Sequence, residues 1–533
     1  MRTLIPLTAL VCLASPAMAK PAENPFFTEW KTPFGVPPFA EIKAEHFLPA
    51  FEEGMKGQKA EIEAIVTNPA KPTFKNTVAA LDDSGEALAK VERVFLLLTS
   101  AETNEQLQAL EEKIQPLMTA HRDDLNLNEA LFQRVKAVYE HRGHEKLGTQ
   151  EATLLEKTYR RFLRGGADLA PAQKERFRAI NADLAALQVK FASNLLKDTN
   201  AYRLVIDKEA DLAGLPADQI AAAAAVAKKA GLEGKWVFTL AYPSIWPFMT
   251  YAENRELRRQ IFTAYTTRCE KGETENRTVF AKIAALRAEK AQLLGFKTWA
   301  AFTLDDTMAK TPAKAYELME KLWKPSVALA KHEAADLQAM IDQEKGGFKL
   351  EPWDWWFYAD KVKKAKFALD EEAMKPYFPL DQVRHGAFAL AGKLYGITFT
   401  ERKDLPVYHR EVKAFEVKEK DGRHLAVLYM DFHPRPGKTV GAWCDTLRDS
   451  WTKNGKFISP VVYNVCNFAR PSGDAPALLS ADEAETLFHE FGHAVHNLLV
   501  HTRFRSAGVN GVAIDFVELP SQIMENWVFE PEM

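Results

Sequence analysis

One short motif in the sequence combines residue types and spacing that suit metal chemistry: His489 and Glu490, followed by His493. Positions i and i+4 of an α-helix share one face and lie about 6 Å apart along the axis, so both imidazoles can reach one metal ion. Glu490 follows the first histidine, where its carboxylate can take a proton from a zinc-bound water. The His-Glu-x-x-His pattern therefore predicts a zinc site. The alternative interpretation of the motif is a pair of surface histidines on a charged helix.

The residues around the motif favour the helix that this chemistry needs. Residues 480–483 (SADE) form a capping-box pattern, which satisfies free backbone N–H groups at the start of a helix. Apolar side chains then recur at three- and four-residue steps, which predicts one buried face. These apolar residues are Leu487, Phe491, Val495 and Leu498.

A catalytic zinc site takes three protein ligands and keeps one position open, so a third ligand is required. The candidates after the motif are His496, His501, Asp515, Glu518 and Glu525. His496 is only one turn from His493, too near to complete the set. We select Glu518, within a segment (512–529) that we expect to be helical apart from Pro520. Asp515, one turn earlier, is then expected to hydrogen-bond a ligand histidine without binding the metal itself. The alternative is that Asp515 lies on an ordinary solvated helix surface.

The rest of the chain must position these side chains, and its patterns predict a mainly helical fold with a small sheet. Apolar residues recur with helical spacing in 177–196, and an alanine-rich helix is expected at 217–230. Helical patterns also cover 46–66, 104–120, 253–294 and 313–343. Strand patterns appear late: 412–418 and 424–431 flank the turn dipeptide Asp421-Gly422 and predict a hairpin, and 459–467 predicts a further strand. We expect an N-terminal helical region at 20–205 and a catalytic region at 206–533.

Composition excludes several classes of protein. The 533 residues carry 69 basic and 72 acidic side chains, a formal charge of −3, which leaves no basic surface for nucleic acid. Hydrophobic residues make up 47% of the chain, which is enough for a globular core. We also expect the protein to be a monomer.

The first nineteen residues have the features of a secretory signal peptide. A charged start at Arg2 precedes an apolar stretch, and Ala17-Met18-Ala19 is a small-x-small cleavage pattern. Cleavage after Ala19 predicts an exported protein, with the bacterial periplasm as its compartment and no membrane attachment afterwards; an N-terminal membrane anchor is the alternative.

Cysteine usage predicts no disulfide framework. Removal of the signal peptide leaves Cys269, Cys444 and Cys466, an odd number in a chain large enough to bury a core. We expect buried free thiols, with a Cys444–Cys466 bridge as the alternative.

Longer blocks of the sequence resemble the thimet-oligopeptidase family of zinc peptidases, and most of all its bacterial peptidyl-dipeptidase branch. The blocks that carry this resemblance are 72–77 (PTFKNT), 352–355 (PWDW), 431–443 (DFHPRPGKTVGAW), 486–496 (TLFHEFGHAVH) and 515–527 (DFVELPSQIMENW). The resemblance implies a two-lobed helical zincin, in which a deep central channel leads to the zinc and a small sheet lies beside the zinc helix. It also implies that His489, His493 and Glu518 bind one Zn²⁺ per chain and that Glu490 is the catalytic base.

The function implied by this resemblance is hydrolysis of short peptides with release of C-terminal dipeptides. The alternatives are internal cleavage, as in enzymes of the oligopeptidase A type, and peptide binding without cleavage. In this family the residues that stabilise the reaction intermediate follow well after the third ligand, whereas this sequence stops fifteen residues after Glu518. The resemblance therefore implies a fragment of a longer protein, and a naturally truncated relative is the alternative.

Overall fold

The computed structural model describes residues 24–471 and 476–531. The predicted signal peptide lies outside these residues, and the predicted boundary at 205/206 stays a prediction. The N-terminal helices are α1 (Ala44–Val66), α2 (Ala80–Asp83), α3 (Glu86–Ala101), α4 (Glu105–Asn126), α5 (Glu129–Glu140), α6 (Thr149–Arg164), α7 (Pro171–Ala201), α8 (Ala217–Lys229), α9 (Tyr242–Tyr251) and α10 (Arg255–Thr266). They are followed by α11 (Arg277–Leu293), α12 (Trp299–Leu304), α13 (Pro312–Gln343), α14 (Trp355–Phe367), α15 (Glu371–Met374), α16 (Leu380–Tyr395), α17 (Ala481–Leu499) and α18 (Glu518–Glu525).

The helices predicted between residues 46 and 343 are present, and their boundaries follow local chemistry. Pro171 occupies the first turn of α7, where the missing N–H costs nothing, and Phe177, Ile180 and Leu184 line the buried side of that helix. The 253–294 pattern forms two helices, α10 and α11. Between them Cys269 and Gly272 have φ angles of 57° and 75°, which no α-helix accommodates.

The strands are β1 (Leu204–Ile206), β2 (Trp236–Phe238), β3 (Thr398–Glu401), β4 (Lys413–Lys418), β5 (His424–Asp431), β6 (Trp443–Arg448), β7 (Trp451–Lys453), β8 (Lys456–Ile458) and β9 (Val461–Val465). The predicted hairpin is β4–β5, paired antiparallel, and the predicted strand at 459–467 is β9. Five strands form one sheet in the order β3-β4-β5-β9-β6, in which only β5 and β9 pair parallel. Strand β6 is therefore at an edge of the sheet.

Helices cover both faces of this sheet. Alternate side chains of its central strands point in opposite directions, so each strand contributes to two cores. Leu428 and Met430 of β5 join the core formed with α16 and α17. Val427 and Tyr429 join a second core formed with α1, α3 and α4. The sheet thus lies between the N-terminal helices and the helix that carries the His-Glu-x-x-His motif.

The segment 512–529 differs from the expectation. It is helical only over α18, from Glu518 to Glu525, so the predicted helix is wrong at 512–517 and at 526–529. Pro520 lies inside this helix, in its first turn, where no intrahelical N–H bond is lost. Residues 513–517 instead follow a turn that is fixed through Asp515, whose carboxylate accepts hydrogen bonds from the backbone N–H groups of Met308 and Ala309 at 2.8 and 3.0 Å.

Among the described residues the three remaining cysteines are free thiols, and no Cys444–Cys466 bridge is formed. Cys269 and Cys466 are buried and Cys444 is half-buried. None of the helices in the described ranges has the length and apolar character needed to cross a membrane.

Candidate metal centre

Helix α17 holds both motif histidines toward one point in space. Its start is capped as predicted, since Ser480 Oγ accepts the N–H of Glu483 at 3.1 Å and Glu483 Oε2 accepts the N–H of Ser480 at 2.8 Å. The predicted apolar stripe is buried, which fixes the rotation of the helix about its axis. The rings of His489 and His493 lie 5.0 Å apart and nearly perpendicular, at 83°.

Glu518, at the start of α18, lies opposite the two histidines. Its Oε2 atom is 3.3 Å from Nε2 of His489 and 3.2 Å from Nε2 of His493. The fully buried Ser521, one turn later, donates its hydroxyl to the same Oε2 at 2.8 Å. One ligand atom from each of His489, His493 and Glu518 lies within 4.8 Å of the others, and no other group of three or more His, Cys, Asp or Glu side chains among the described residues meets this condition.

This donor set suits zinc. Two imidazole nitrogens and one carboxylate oxygen are a known catalytic zinc combination, with bonds of about 2.0–2.1 Å. Tetrahedral geometry at that bond length places neighbouring ligand atoms about 3.3 Å apart, which agrees with the two distances to Glu518. Burial lowers the pKa of His493 despite the opposing effect of Glu518, and the neutral imidazole is the form that binds a metal.

Glu490 is placed differently from the three candidate ligands. Only 5% of its surface is exposed, and its Oε2 atom has no hydrogen-bond partner among the described residues. Burial raises its pKa to about 7, with Glu518 adding to the rise and His489 opposing it. A carboxyl group with such a pKa can both accept and release a proton near neutrality, as a general acid–base requires. Its backbone carbonyl accepts a hydrogen bond from Asn464 of β9 at 2.9 Å, which ties α17 to the sheet.

Asp515 does not support a ligand histidine, contrary to the expectation from sequence. Its two oxygens are occupied by the backbone of Met308 and Ala309. Glu525 instead makes the contact with a ligand histidine that we expect of Asp515: its Oε1 atom is 2.6 Å from Nδ1 of His489. The sequence did contain a signal for this, because Glu525 follows Glu518 by seven residues, two turns of one helix.

The other histidines after the motif are not part of this centre. His496 is half-buried on α17, and its Nδ1 atom has no partner among the described residues. His501 is exposed, lies 3.2 Å from the hydroxyl of Thr452 and contacts the ring of Phe457.

Open space runs along the edge strand β6. A cavity of about 820 Å³ is lined by Arg93 of α3, Leu447 of β6 and Asn510 of the loop between α17 and α18. A second cavity of about 260 Å³ shares Arg93 and Asn510 and adds Asp445 of β6. An edge strand next to such space can pair with an extended peptide.

Comparison with known proteins identifies the family. The sequence profile of Peptidase family M3 matches residues 248–533. The dipeptidyl carboxypeptidase of Escherichia coli (strain K12) is 40% identical over 512 residues, which cover 96% of this chain and 75% of the relative. The chain belongs to peptidase family M3. As an M3 member it is a metallopeptidase that hydrolyses peptide bonds.

Other similarities of this M3 peptidase are more distant. Oligopeptidase A of Escherichia coli (strain K12) is 34% identical over 510 residues, or 94% of this chain and 75% of the relative. A solved structure described as PZ peptidase A with inhibitor 2 is 14% identical, with a TM-score of 0.47 over 92% of this chain and 70% of that one.

Proposed function

We propose that this M3 peptidase is a zinc enzyme that removes dipeptides from the C-termini of short peptides. The observation that carries the zinc assignment is the position of Glu518 Oε2, 3.2–3.3 Å from both histidine Nε2 atoms. The dipeptide product is supported by the 40% identity to a dipeptidyl carboxypeptidase. One Zn²⁺ would be held by His489, His493 and Glu518, in a monomeric chain.

The mechanism follows from where the chain holds its groups. A zinc ion held by His489, His493 and Glu518 would lower the pKa of the attacking water and polarise the scissile carbonyl. Glu490 Oε2, buried and without a hydrogen-bond partner among the described residues, would accept a proton from the attacking water and later donate it to the nitrogen of the leaving amine. The low solvent exposure of Glu490 protects this proton from exchange with bulk water. The peptide would lie extended along the edge strand β6, which packs against α17.

Internal cleavage is the second candidate function, and the 34% identity to oligopeptidase A favours it. The two activities share the same chemistry at zinc and differ in whether the enzyme recognises the substrate's free C-terminus. They are therefore separated by the products and not by metal dependence.

The decisive experiment uses an N-terminally blocked nonapeptide, with and without a chelator, and maps products by mass spectrometry. Successive chelator-sensitive losses of two C-terminal residues are expected. A single internal cut would assign the oligopeptidase A type of activity instead. If the zinc-loaded chain binds the peptide but leaves it intact, it is a binding protein, and the catalytic proposal is wrong.

We also propose that the mature chain begins at Lys20 and is located in a bacterial periplasm. This rests on the charged, apolar and small-residue pattern of residues 1–19. Expression of the full sequence in a bacterium, followed by fractionation and N-terminal sequencing, should give a periplasmic protein that begins at Lys20. A cytoplasmic protein that begins at Met1 would contradict the proposal.

A further inference from the structure

The two ring nitrogens of His489 face two carboxylates of the same helix. Nε2 lies 3.3 Å from Glu518 Oε2, whereas Nδ1 lies 2.6 Å from Glu525 Oε1. Both carboxylates belong to α18. The imidazole is therefore held at both nitrogens, and only one of them is directed at the candidate metal position.

The sequence spacing on α18 explains how one short helix does this. Glu518, Ser521 and Glu525 stand at i, i+3 and i+7, which share one face of a helix. That face is turned toward α17: Ser521 is fully buried and donates to Glu518, and the Glu525 side chain is only 28% exposed. Glu525 reaches the histidine from two turns further along the helix than the candidate ligand.

We propose that Glu525 is a positioning residue of the metal centre. It accepts the Nδ1–H of His489, so the ring is kept in the tautomer whose Nε2 lone pair is directed at Glu518 and His493. A carboxylate in this position also makes the imidazole a more basic ligand and fixes the angle of its ring. The inference rests on the proposed zinc site and extends it to a residue that binds neither metal nor substrate.

Another carboxylate near Glu525 provides a matched control. Glu485 lies on α17 one turn before His489, partly exposed, and is close enough to Glu525 for their charges to interact. No hydrogen bond joins Glu485 to His489 among the described residues. Substitution at position 485 therefore removes a negative charge near the site but leaves the contact with His489 intact.

The test compares zinc affinity, measured by competition with a chromophoric chelator, in Glu525→Leu, Glu525→Gln, Glu485→Leu and wild type. Leucine fills similar volume without an acceptor, and glutamine keeps a neutral carbonyl acceptor. We expect Glu525→Leu to bind zinc about 10–100-fold more weakly than wild type, Glu525→Gln to fall between them, and Glu485→Leu to match wild type. The absorption spectrum of the Co²⁺-substituted protein should change in Glu525→Leu only.

Unfolding of the metal-free proteins separates positioning from folding. The metal-free Leu variants at positions 525 and 485 should both be folded at the temperature of the zinc measurement. Equal zinc affinities in Glu525→Leu and Glu485→Leu would overturn the positioning role and leave the zinc site itself intact. Absence of stoichiometric zinc binding in wild type, or unchanged binding in His489→Ala, would instead refute the proposed zinc site, and the inference with it.

Discussion

Gly492 of α17 and Ser521 of α18 lie so close together that α17 could not carry a side chain at this crossing. A Cβ atom on Gly492 would be 2.6 Å from the Cα atom of Ser521 and 2.6 Å from the carbonyl oxygen of Pro520. Real Cβ atoms do not approach backbone this closely, and backbone cannot swing aside as a flexible side chain can. The glycine inside the His-Glu-x-x-His motif is thus what allows α18 to bring Glu518 to the two histidines.

Substitution of this glycine should weaken the metal centre as well as the fold. Gly492→Ala is expected to destabilise the protein by about 1–3 kcal/mol through overpacking. Displacement of Glu518 by about 1 Å should also lower kcat/KM by roughly 100-fold. Denaturant unfolding and chelator competition would measure the two effects. Gly57→Ala in α1 is the control, because nothing lies within 4 Å of a Cβ there; equal behaviour of the two variants would show that the crossing tolerates a side chain.

Removal of the proposed base should separate catalysis from metal binding. Glu490→Gln keeps the size of the side chain but cannot take a proton, so we expect kcat/KM to fall by at least about 100-fold. The zinc content should remain one per chain, because Glu490 lies outside the candidate ligand set. Peptide hydrolysis and elemental analysis on the same samples test this, with Glu485→Gln as the control on the same helix. Retained turnover in Glu490→Gln would assign the base elsewhere.

The loop after β5 depends on a buried carboxylate with several donors. Asp431 is fully buried and accepts hydrogen bonds from Tyr408 at 2.8 Å, from Lys438 at 2.8 Å and from Arg435 at 2.6 and 2.9 Å. Breaking one side of such an arrangement leaves buried cations uncompensated, so Asp431→Asn should lower the free energy of unfolding by about 3 kcal/mol at neutral pH. The exposed Asp421, paired with Arg423 in the hairpin turn, is the control, and Asp421→Asn should leave stability unchanged. A similar loss in both variants would contradict this role of Asp431.

This stabilisation should disappear in acid. Burial by itself raises the pKa of Asp431, but the hydrogen bond from Arg435 and the charges of Lys438 and Arg435 outweigh it, so the pKa lies below its ordinary 3.8. The unfolded state then binds more protons than the folded state between the two pKa values, and stability rises with pH in that interval. The gap between wild type and Asp431→Asn should be full above about pH 5 and shrink as the pH falls below about 4. A gap that stays constant from pH 7 to pH 3 would rule out this linkage.

The free cysteines give a direct chemical test of the core. In a chain that begins at Lys20, a thiol reagent in guanidinium chloride without reductant should titrate three thiols. Without denaturant, Cys466 should react slowly, because it is fully buried and burial raises the pKa of its thiol. Two thiols missing until a reductant is added would show a disulfide.

The sequence by itself determined those features that depend on neighbours along the chain. The capping pattern and apolar stripe placed His489, Glu490 and His493 on one helix, and the turn dipeptide placed the β4–β5 hairpin, because helix and strand periodicity link residues only a few positions apart. It also limited the third ligand to a few side chains in the next segment. These conclusions required no knowledge of distant contacts.

The tertiary structure alone decided which carboxylate faces which nitrogen. The link between α17 and α18 has no helical or strand periodicity, and distant residues fix its path: Asp82 accepts the N–H groups of Arg505 and Ser506, and Asp515 accepts those of Met308 and Ala309. Because of these contacts, helix α18 begins only at Glu518. As a result Glu518 faces Nε2 of His489 and Glu525 faces Nδ1, a distinction set by contacts that span two hundred residues or more and that no local pattern encodes.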